Sequence, residues 1–342
     1  MPASETGART PVVSVVVPVR NEARTIEDVL RSLAAQDIGP EALEVIVMDG
    51  DSTDDTRREC EAMAATYPWG AFTVERNAGL TAPYALNGGL RRSSCRWFTR
   101  LDARTRMSPN YLSCCIEYLE RTGDPLRAAA GRFITESRGT AVSAAISAAL
   151  SHPLGVGRGY RTIVAEEAEV DHHPFAVWPT EAVRRFGGFD ETLTRNQDDE
   201  FSDRARSQGA TIAMLGRAQI LYWPRDRFRG LAAQYFQYGL WKSAVGRRRG
   251  YFPLRSAVPA ATTLASLMAP ARLARGRPLL PLGLLGAYAG LSAAVGRRGR
   301  TAPLPHVAWA LFLMHFFYGL GVMLGAAAPG LARGRLGRIR IL

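Results

Sequence analysis

Short apolar runs that end in polar residues repeat along the first third of the chain. Each run is rich in β-branched or aromatic side chains, as buried strands are, and apolar residues at helical spacing fill the intervals. The predicted strands cover 12–19, 43–48, 72–74 and 97–101, and the predicted helices cover 22–36, 54–63 and 82–90. Strands that alternate with helices predict an α/β fold with a doubly wound, mostly parallel sheet.

Carboxylates directly follow two of these predicted strands. Asp49 closes the second strand, and Asp102 closes the fourth. Because ligands of open α/β sheets bind beyond the carboxyl ends of the strands, both positions predict a ligand site. A strand-turn-helix corner with a solvated acidic cap explains the residues around Asp49 equally well at this point, and capping is the favoured interpretation of Asp54.

Two common nucleotide-binding motifs are absent from the sequence. The turn after the first predicted strand, residues 20–24, contains no glycine, so the G-x-G-x-x-G fingerprint of dinucleotide-binding proteins is missing. The phosphate-binding pattern G-x-x-x-x-G-K-[ST] does not occur anywhere in the chain. The sequence therefore disfavours both of these nucleotide-binding classes.

A second group of polar residues lies in the later part of the α/β region. Asp198, Asp199 and Glu200 open a predicted amphipathic helix that ends at Gly209. A carboxylate held within reach of an acceptor hydroxyl can act as a general base. The alternative is an ordinary acid-rich first helical turn, which is common.

The charge distribution divides the chain near residue 230. The net charge is +12, and residues 230–342 contain fifteen Lys or Arg and no Asp or Glu. Basic clusters alternate there with apolar stretches at 256–271, 278–296 and 307–328, which fits a membrane better than nucleic acid. The second and third stretches are uncharged and about 19 and 22 residues long, sufficient to cross a bilayer. The first is predicted to be re-entrant or tilted, and a soluble helical domain is the alternative for the whole tail.

These patterns predict four segments. They are an α/β domain at 1–228, an amphipathic interfacial helix with a basic linker at 229–250, a membrane region of two to three helices at 251–330, and a basic tail at 331–342. The four cysteines show no C-x-x-C spacing, which indicates reduced thiols and an α/β domain in the cytoplasm. No signal peptide is expected, because the first apolar run is short and interrupted.

A series of ordered motifs resembles those of the family-2 inverting glycosyltransferases, which have the GT-A fold. The motifs are the strand and turn at 14–22, the turn at 49–54, position 77 with 87–89, the D-x-D position at 100–104, the segments 187–190 and 197–201, and the stretch 234–242. The resemblance covers roughly residues 12–245. Within the family, the chain looks most like the succinoglycan-type exopolysaccharide glucosyltransferases.

The resemblance implies a site for a nucleotide sugar and an acceptor. Asp49 would read the base of the nucleotide, and Asp198 would be the catalytic base, with Asp199 as the second candidate. The residues implied on the nucleotide-sugar side are Pro18, Arg20, Glu22, Asp49, Asp51, Asn77, Asp102 and Arg104. The residues implied on the acceptor side are Gly187, Gly188 and Asp190.

The resemblance also implies a Mg²⁺ or Mn²⁺ ion on Asp102, where it would stabilise charge on the departing diphosphate. This sequence departs from the family pattern at two places, since Arg104 replaces the second D-x-D carboxylate and Gln197 replaces the usual Glu. Either Asp102, the diphosphate and water hold the ion, or Arg104 supplies part of its positive charge. His172 and His173 are not assigned as ligands.

The resemblance therefore predicts a multi-pass enzyme of the cell membrane with a cytoplasmic catalytic domain. It would transfer a hexose, with glucose from a UDP donor as the first expectation, to a lipid-linked glycan in exopolysaccharide or surface polysaccharide synthesis. One alternative is transfer to polyprenyl phosphate. Another is a non-catalytic membrane assembly subunit with a degenerate site. No nucleic-acid partner is expected.

Overall fold

The computed structural model describes residues 10–157, 159–163, 165–249, 257–296 and 302–328. Its strands are β1 (Val13–Val19), β2 (Leu43–Asp49), β3 (Ala71–Arg76), β4 (Trp97–Arg100), β5 (Thr105–Met107), β6 (Arg127–Thr135), β7 (Glu167–Glu169), β8 (Trp178–Pro179) and β9 (Thr211–Tyr222). Its helices are α1 (Ile26–Ala34), α2 (Thr56–Thr66), α3 (Ala82–Arg92), α4 (Tyr111–Thr122), α5 (Ala141–Leu150), α6 (Pro153–Val156), α7 (Thr180–Arg185), α8 (Gln197–Ser207), α9 (Phe228–Arg249), α10 (Ala257–Ala274), α11 (Leu279–Gly296) and α12 (Leu304–Ala327).

The chain forms two compact units. The first consists of Met1–Ile134, Ile163–Thr192 and Gln197–Tyr222, and the second of Thr135–Thr162, Leu193–Asn196 and Trp223–Leu342. Both units are therefore built from discontinuous parts of the sequence. The four segment boundaries expected from the sequence stay a prediction, and the basic tail at 331–342 lies outside the described residues.

The first unit is built on a sheet with the strand order β3-β2-β1-β4-β8. The first four strands are parallel to one another, and β8 joins β4 in the antiparallel direction. β1 and β2 are almost fully buried, which explains why their sequences read as continuous apolar runs. The mostly parallel, doubly wound sheet expected from the sequence is confirmed.

A second sheet in the same unit has the order β5-β9-β6, and β7 also pairs with β9. β5 and β7 both run antiparallel to β9. The third strand of this sheet, β6, contains Arg132 and Phe133. Residues 105–107 and 211–222 carry no equally clear signal, so β5 and β9 were not predicted.

The second unit is helical. α12 packs most extensively against α9 and also contacts α10, α11 and α5. Residues 153–156 form the single helical turn α6, which begins with proline at its first position. The amphipathic helix expected within 229–250 corresponds to α9, which spans Phe228–Arg249.

Two helices of the second unit, α11 and α12, are long and apolar enough to cross a membrane. α12 lies close to its neighbours because it carries glycines where they meet it. A Cβ on Gly321 would stand 2.1 Å from the carbonyl oxygen of Phe236 in α9. Small residues at such contacts let helix backbones approach, as the G-x-x-x-G spacing of Gly321 and Gly325 indicates.

Candidate functional site

The polar residues predicted for the nucleotide sugar gather beyond one edge of the first unit's main sheet. β1, β2, β3 and β4 are parallel, so their carboxyl ends face the same way, and most of the predicted residues follow those ends. Pro18 is the exception, since it lies within β1 opposite Met48 of β2.

Asp49 ends β2 and is held by the turn that follows it. The residue is 5% exposed, and its Oδ1 accepts a hydrogen bond of 2.5 Å from Ser52 Oγ and one of 3.2 Å from the Ser52 amide. These bonds fix the orientation of the carboxylate and offset the cost of burying it.

The turns after β1 and β2 are bound to each other. The backbone amide of Asn21 donates to Ser52 Oγ at 3.0 Å. The side-chain Oδ1 of Asn21 accepts from the backbone amide of Thr53 at 2.8 Å. Asp54 accepts from the amides of Ala23 and Thr56 and so holds both turns, but it lies one position before Asp55, the N-cap residue of α2. Burial alone would raise the pKa of Asp54, but the hydrogen bonds from Thr56 and Ala23 lower it overall.

Asp51 and Asn77 already have protein partners. Both Asp51 oxygens bind Arg76, at 2.7 Å from Nε and 3.0 Å from Nη2, and this pairing lowers the pKa of Asp51. Asn77 is buried and donates its side-chain amide to the carbonyl oxygen of Thr81. These contacts give both residues a structural role in shaping the edge of the site.

Two arginines line the turns where the donor is predicted to bind. Arg104, which stands at the second D-x-D position, donates Nε to Glu22 Oε1 at 3.2 Å. The buried Nε of Arg20 has no hydrogen-bond partner among the residues that the structure describes. An unsatisfied guanidinium nitrogen at this edge is suited to an anionic ligand.

One arginine connects the two carboxylates that matter most for the predicted chemistry. Arg100 ends β4, is 7% exposed, and places Nη2 3.1 Å from Asp102 Oδ2 and 3.4 Å from Asp198 Oδ2. The structure thus brings Asp102 and Asp198 to the same place, although 96 positions separate them in the sequence.

Asp198 lies at the start of α8, beside a pocket walled by aromatic rings, among them Phe98, Trp178 and Phe201. His172 Nε2 is 3.7 Å from Asp198 Oδ2, and His172 Nδ1 is 3.0 Å from Ser202 Oγ. Burial alone would raise the pKa of Asp198, but Arg100 and His172 lower it overall, which keeps the group ionised.

Asp199 contacts its neighbour through the backbone, since its amide donates to Asp198 Oδ1 at 3.0 Å. The next acid, Glu200, forms a two-bond ion pair with Arg204 in the same helix. Arg204 in turn donates to the carbonyl oxygen of Gly188 at 2.7 Å. The acid-rich start of α8 is thus divided between Asp198, which faces Arg100, and Glu200, which holds a neighbouring turn.

The turn predicted for the acceptor side is built around Gly187 and Gly188, whose φ angles are +81° and +65°. Asn87 in α3 accepts from the Phe189 amide and donates to the Phe189 carbonyl oxygen, both at 2.8 Å. A Cβ on Gly188 would lie 2.6 Å from Asn87 Oδ1, so close approach and backbone conformation both require glycine. Asp190 caps the turn by accepting from Thr192.

Side chains of the described residues do not form a metal site by themselves. Among the described residues, no group of three or more His, Cys, Asp and Glu is arranged to hold an ion. Asp102, with a side chain 44% exposed, is the candidate ligand, and one of its oxygens also binds Arg100. This donor set fits an ion that takes its other ligands from a diphosphate and water, as Mg²⁺ commonly does.

Sequence reasoning missed two residues of this site. Arg100 was seen only as the residue before a predicted D-x-D position, and His172 was set aside as structural. Both assignments depended on the position of Asp198, which the sequence does not give. A charged residue in the otherwise apolar run 97–101 was the one available signal.

Comparison with known proteins identifies the fold and the class of activity. Residues 14–153 match the model of glycosyl transferase family 2. Succinoglycan biosynthesis protein ExoA of Rhizobium meliloti (strain 1021) is 28% identical over 321 residues, which cover 90% of this chain and 92% of ExoA. The predicted resemblance to family 2 and the prediction of a glycosyltransferase are confirmed.

Two solved structures have the same fold at low sequence identity. One is the mannosyltransferase PcManGT from Pyrobaculum calidifontis in complex with GDP-Man and Mn²⁺, at 20% identity and TM-score 0.58, covering 93% of this chain and 88% of that one. The other is S. aureus TarS 1–349 in complex with UDP, at 17% identity and TM-score 0.52, covering 92% and 90%. The predicted GT-A-like fold is confirmed.

Proposed function

Because this chain is a glycosyltransferase with a family 2 domain, we propose that it transfers a hexose, with glucose from UDP-glucose as the first candidate, to a lipid-linked glycan. The product would be an intermediate of exopolysaccharide or cell-surface polysaccharide synthesis. The observation that carries this proposal is the pairing of Asp102 and Asp198 with a single arginine. In this proposal Asp102 would belong to the donor side, and Asp198, joined to it through the arginine, would serve as the base.

The proposed reaction inverts the anomeric carbon in one displacement. The acceptor hydroxyl attacks that carbon, its proton passes to Asp198, and the nucleoside diphosphate leaves from the opposite face. Asp198 suits this role because its pKa is lowered and it is therefore ionised at neutral pH. Asp199 is the second candidate, since it lies next to Asp198 in the first turn of α8.

The donor nucleotide would bind at the carboxyl ends of β1 to β4. Asp49 is fixed by Ser52 and would read the base, while Arg20 and Arg104 lie in the turns that follow β1 and β4. Glu22, Asn77 and Asp51 would shape the site through the contacts they make with protein groups. Pro18 would contribute backbone shape at the end of β1.

A divalent cation would be held by Asp102 together with the diphosphate and water. Bound there, it would stabilise negative charge on the leaving group. PcManGT, which shares the fold, carries Mn²⁺ with its sugar nucleotide. The alternative is that Arg104 supplies part of this charge, although its pairing with Glu22 leaves a reduced net charge at that position.

A lipid-linked acceptor and a membrane location are supported by two observations. The relative ExoA is named for succinoglycan biosynthesis, which is polysaccharide synthesis. Only 11% of the apolar segment Leu279–Gly296, which forms α11, is buried in the structure, whereas a core helix of a soluble protein is mostly buried. Leu279 and Leu285 of this helix are strongly exposed. We propose a multi-pass cell-membrane protein with a cytoplasmic catalytic domain at 1–228, an interfacial helix and linker at 229–250, membrane helices within 251–330 and a basic tail.

The acceptor-side residues Gly187, Gly188 and Asp190 would contribute a rigid turn. Both glycines have positive φ angles, and Asn87 and Arg204 hold the turn from two sides. We propose that this turn borders the acceptor without supplying a catalytic side chain.

A donor screen on membranes tests the proposal. Membranes that contain the overproduced protein are incubated with radiolabelled UDP-glucose, UDP-galactose, GDP-mannose or dTDP-glucose, and label in lipid extracts is counted. Label transferred to a multi-sugar lipid supports the proposal, and label on a polyprenyl monophosphate supports the alternative acceptor. The proposal is wrong if no donor is consumed and UDP fails to bind in calorimetry with or without Mn²⁺.

A further inference from the structure

Arg100 binds both carboxylates that take part in the proposed reaction. Its Nη2 atom is the donor to both Asp102 and Asp198, at 3.1 Å and 3.4 Å. The guanidinium also lies 5.6 Å from the ring of Phe175. A buried guanidinium that donates to two carboxylates is strongly oriented, because charge-assisted hydrogen bonds hold it from both sides.

The two carboxylates of this bridge face different tasks. Asp102 follows β4 at the edge where the donor is proposed to bind, and its side chain is 44% exposed. Asp198 begins α8, and its side chain is 24% exposed. Arg100 therefore connects the end of the site that receives the donor with the group that is proposed to take the acceptor proton.

We propose that Arg100 is a positioning residue that couples occupation of the donor site at Asp102 to the orientation and ionisation of Asp198. This inference rests on the proposed function. Any donor group that engages Asp102 changes how the guanidinium is shared between the two carboxylates. Asp102 then competes less for the guanidinium, so a bound donor strengthens the contact of Arg100 with Asp198 and orients the base more firmly.

Several groups surround Asp198 and set its response to pH. Arg100 faces it from β4, His172 faces it from the segment after β7, and the Asp199 amide donates to it from its own helix. Asp102 is joined to this group through Arg100. The variant Arg100→Gln removes the guanidinium from this set, and burial then favours the protonated form of Asp198.

The test compares Arg100→Gln and Arg100→Lys with the control Arg96→Gln. Arg96 precedes β4 and forms an exposed ion pair with Glu120. We expect Arg100→Gln to lower kcat by about 100-fold, within the usual contribution of a general base, and to raise the donor KM by about fivefold. We expect Arg100→Lys to recover part of kcat and Arg96→Gln to match wild type.

The pH profile separates positioning from a purely structural role. In Arg100→Gln the pKa of Asp198 rises, so the acidic limb of the kcat profile moves to higher pH. A structural role alone would lower the amount of folded enzyme without moving that limb. An unmoved limb, or a donor KM equal to that of wild type in folded Arg100→Gln, contradicts the inference.

Thermal unfolding at different pH values tests the pairing of Arg100 with Asp198 even if no donor is turned over. In wild type the lowered pKa of Asp198 contributes stability that is complete above about pH 4, so this group gives no change between pH 7 and pH 5. In Arg100→Gln the raised pKa of Asp198 destabilises the fold at pH 7. This loss of stability is relieved as the pH falls, because Asp198 then becomes protonated. If the Tm of wild type and the Tm of Arg100→Gln change with pH in parallel, the inference is overturned. Failure of donor turnover alone overturns the proposed function instead.

Discussion

Arg104 Nε lies 3.2 Å from Glu22 Oε1, so the arginine at the second D-x-D position is paired with a carboxylate from the turn after β1. Glu22 also accepts from Thr25 Oγ1 at 3.1 Å. The pair connects the turns after β1 and β4 across the proposed donor site. At position 104 the family's carboxylate is therefore replaced by an arginine, whose positive charge is already partly neutralised by Glu22.

Asp102→Ala tests the metal proposal that follows from this pairing. We expect the donor KM to rise by about tenfold or more, since a hydrogen bond to a charged group is worth roughly 1.5–3 kcal/mol. Stimulation by Mn²⁺ should decrease in the same variant. The measurement is donor turnover over a Mn²⁺ series, with Arg104→Gln in parallel.

Two outcomes of that series distinguish the two sources of positive charge. If Asp102 holds an ion, a chelator abolishes wild-type activity and Arg104→Gln keeps its response to Mn²⁺. If Arg104 replaces the ion, wild type is indifferent to chelator and Arg104→Gln loses most of its activity.

Gly188→Ala should destabilise the first unit more than a matched glycine substitution. Its new Cβ would meet Asn87 Oδ1 at 2.6 Å, in addition to the strain of a positive φ angle. We expect a loss of about 2–4 kcal/mol in unfolding free energy, from overpacking and strain together. Thermal or denaturant unfolding measures it.

Gly123→Ala is the control for that comparison. Gly123 follows α4 with a φ angle of +64°, and no neighbouring atom among the described residues lies within 4 Å of its ideal Cβ position. Strain alone should cost about 1–2 kcal/mol there. Equal losses in the two variants would contradict the assigned role of Asn87.

Gly321→Leu should weaken the packing of α9 against α12 in the second unit. The new side chain would start 2.1 Å from the carbonyl oxygen of Phe236, so the two helices have to separate. We expect a lower Tm in detergent. Gly286→Leu in α11 should leave the Tm nearly unchanged, because its Cβ position has open space among the described residues; a similar loss there would contradict the packing described for α12.

The cysteine thiols should react slowly in the folded protein. All four cysteines are buried, and burial raises the pKa of Cys60 to about 12. Because the thiolate is the reactive form, we expect little alkylation by iodoacetamide at pH 8 and complete alkylation after denaturation. Mass spectrometry counts the adducts, and rapid labelling of the native protein at Cys60 would contradict its placement.

The α/β core was predictable from local sequence, because buried parallel strands such as β1 and β2 are continuous apolar runs. Asp49 and Asp102 were predictable for the same reason, since each directly follows such a run. Short strands such as β5 were not predictable, because pairing with β9 rather than local composition defines them.

The interior of the site depends on long-range contacts that the sequence does not reveal. The role of Arg100 depends on its contact with Asp198, which the sequence does not show. Likewise, Asp51 pairs with Arg76, which is 25 residues away in the sequence. Residues 135–162 offered little chemistry in the sequence, yet α5 within them packs on α12 in the second unit. Such placements follow from tertiary packing, which overrides local patterns.

The base assignment is the central claim, and it has a direct test in Asp198→Asn with Asp199→Asn as its control. The asparagine keeps the shape of the side chain but cannot take the acceptor proton. We expect Asp198→Asn to reduce sugar transfer by about 10²- to 10⁴-fold while UDP binding stays nearly intact, and Asp199→Asn to keep most of its activity.

The decisive measurement is therefore transfer of radiolabelled sugar to lipid extract by these two variants, with UDP affinity measured on the same preparations. The account predicts loss of transfer with retained UDP binding in Asp198→Asn alone. Wild-type turnover in Asp198→Asn would contradict it, and loss of turnover in Asp199→Asn alone would assign the base to Asp199.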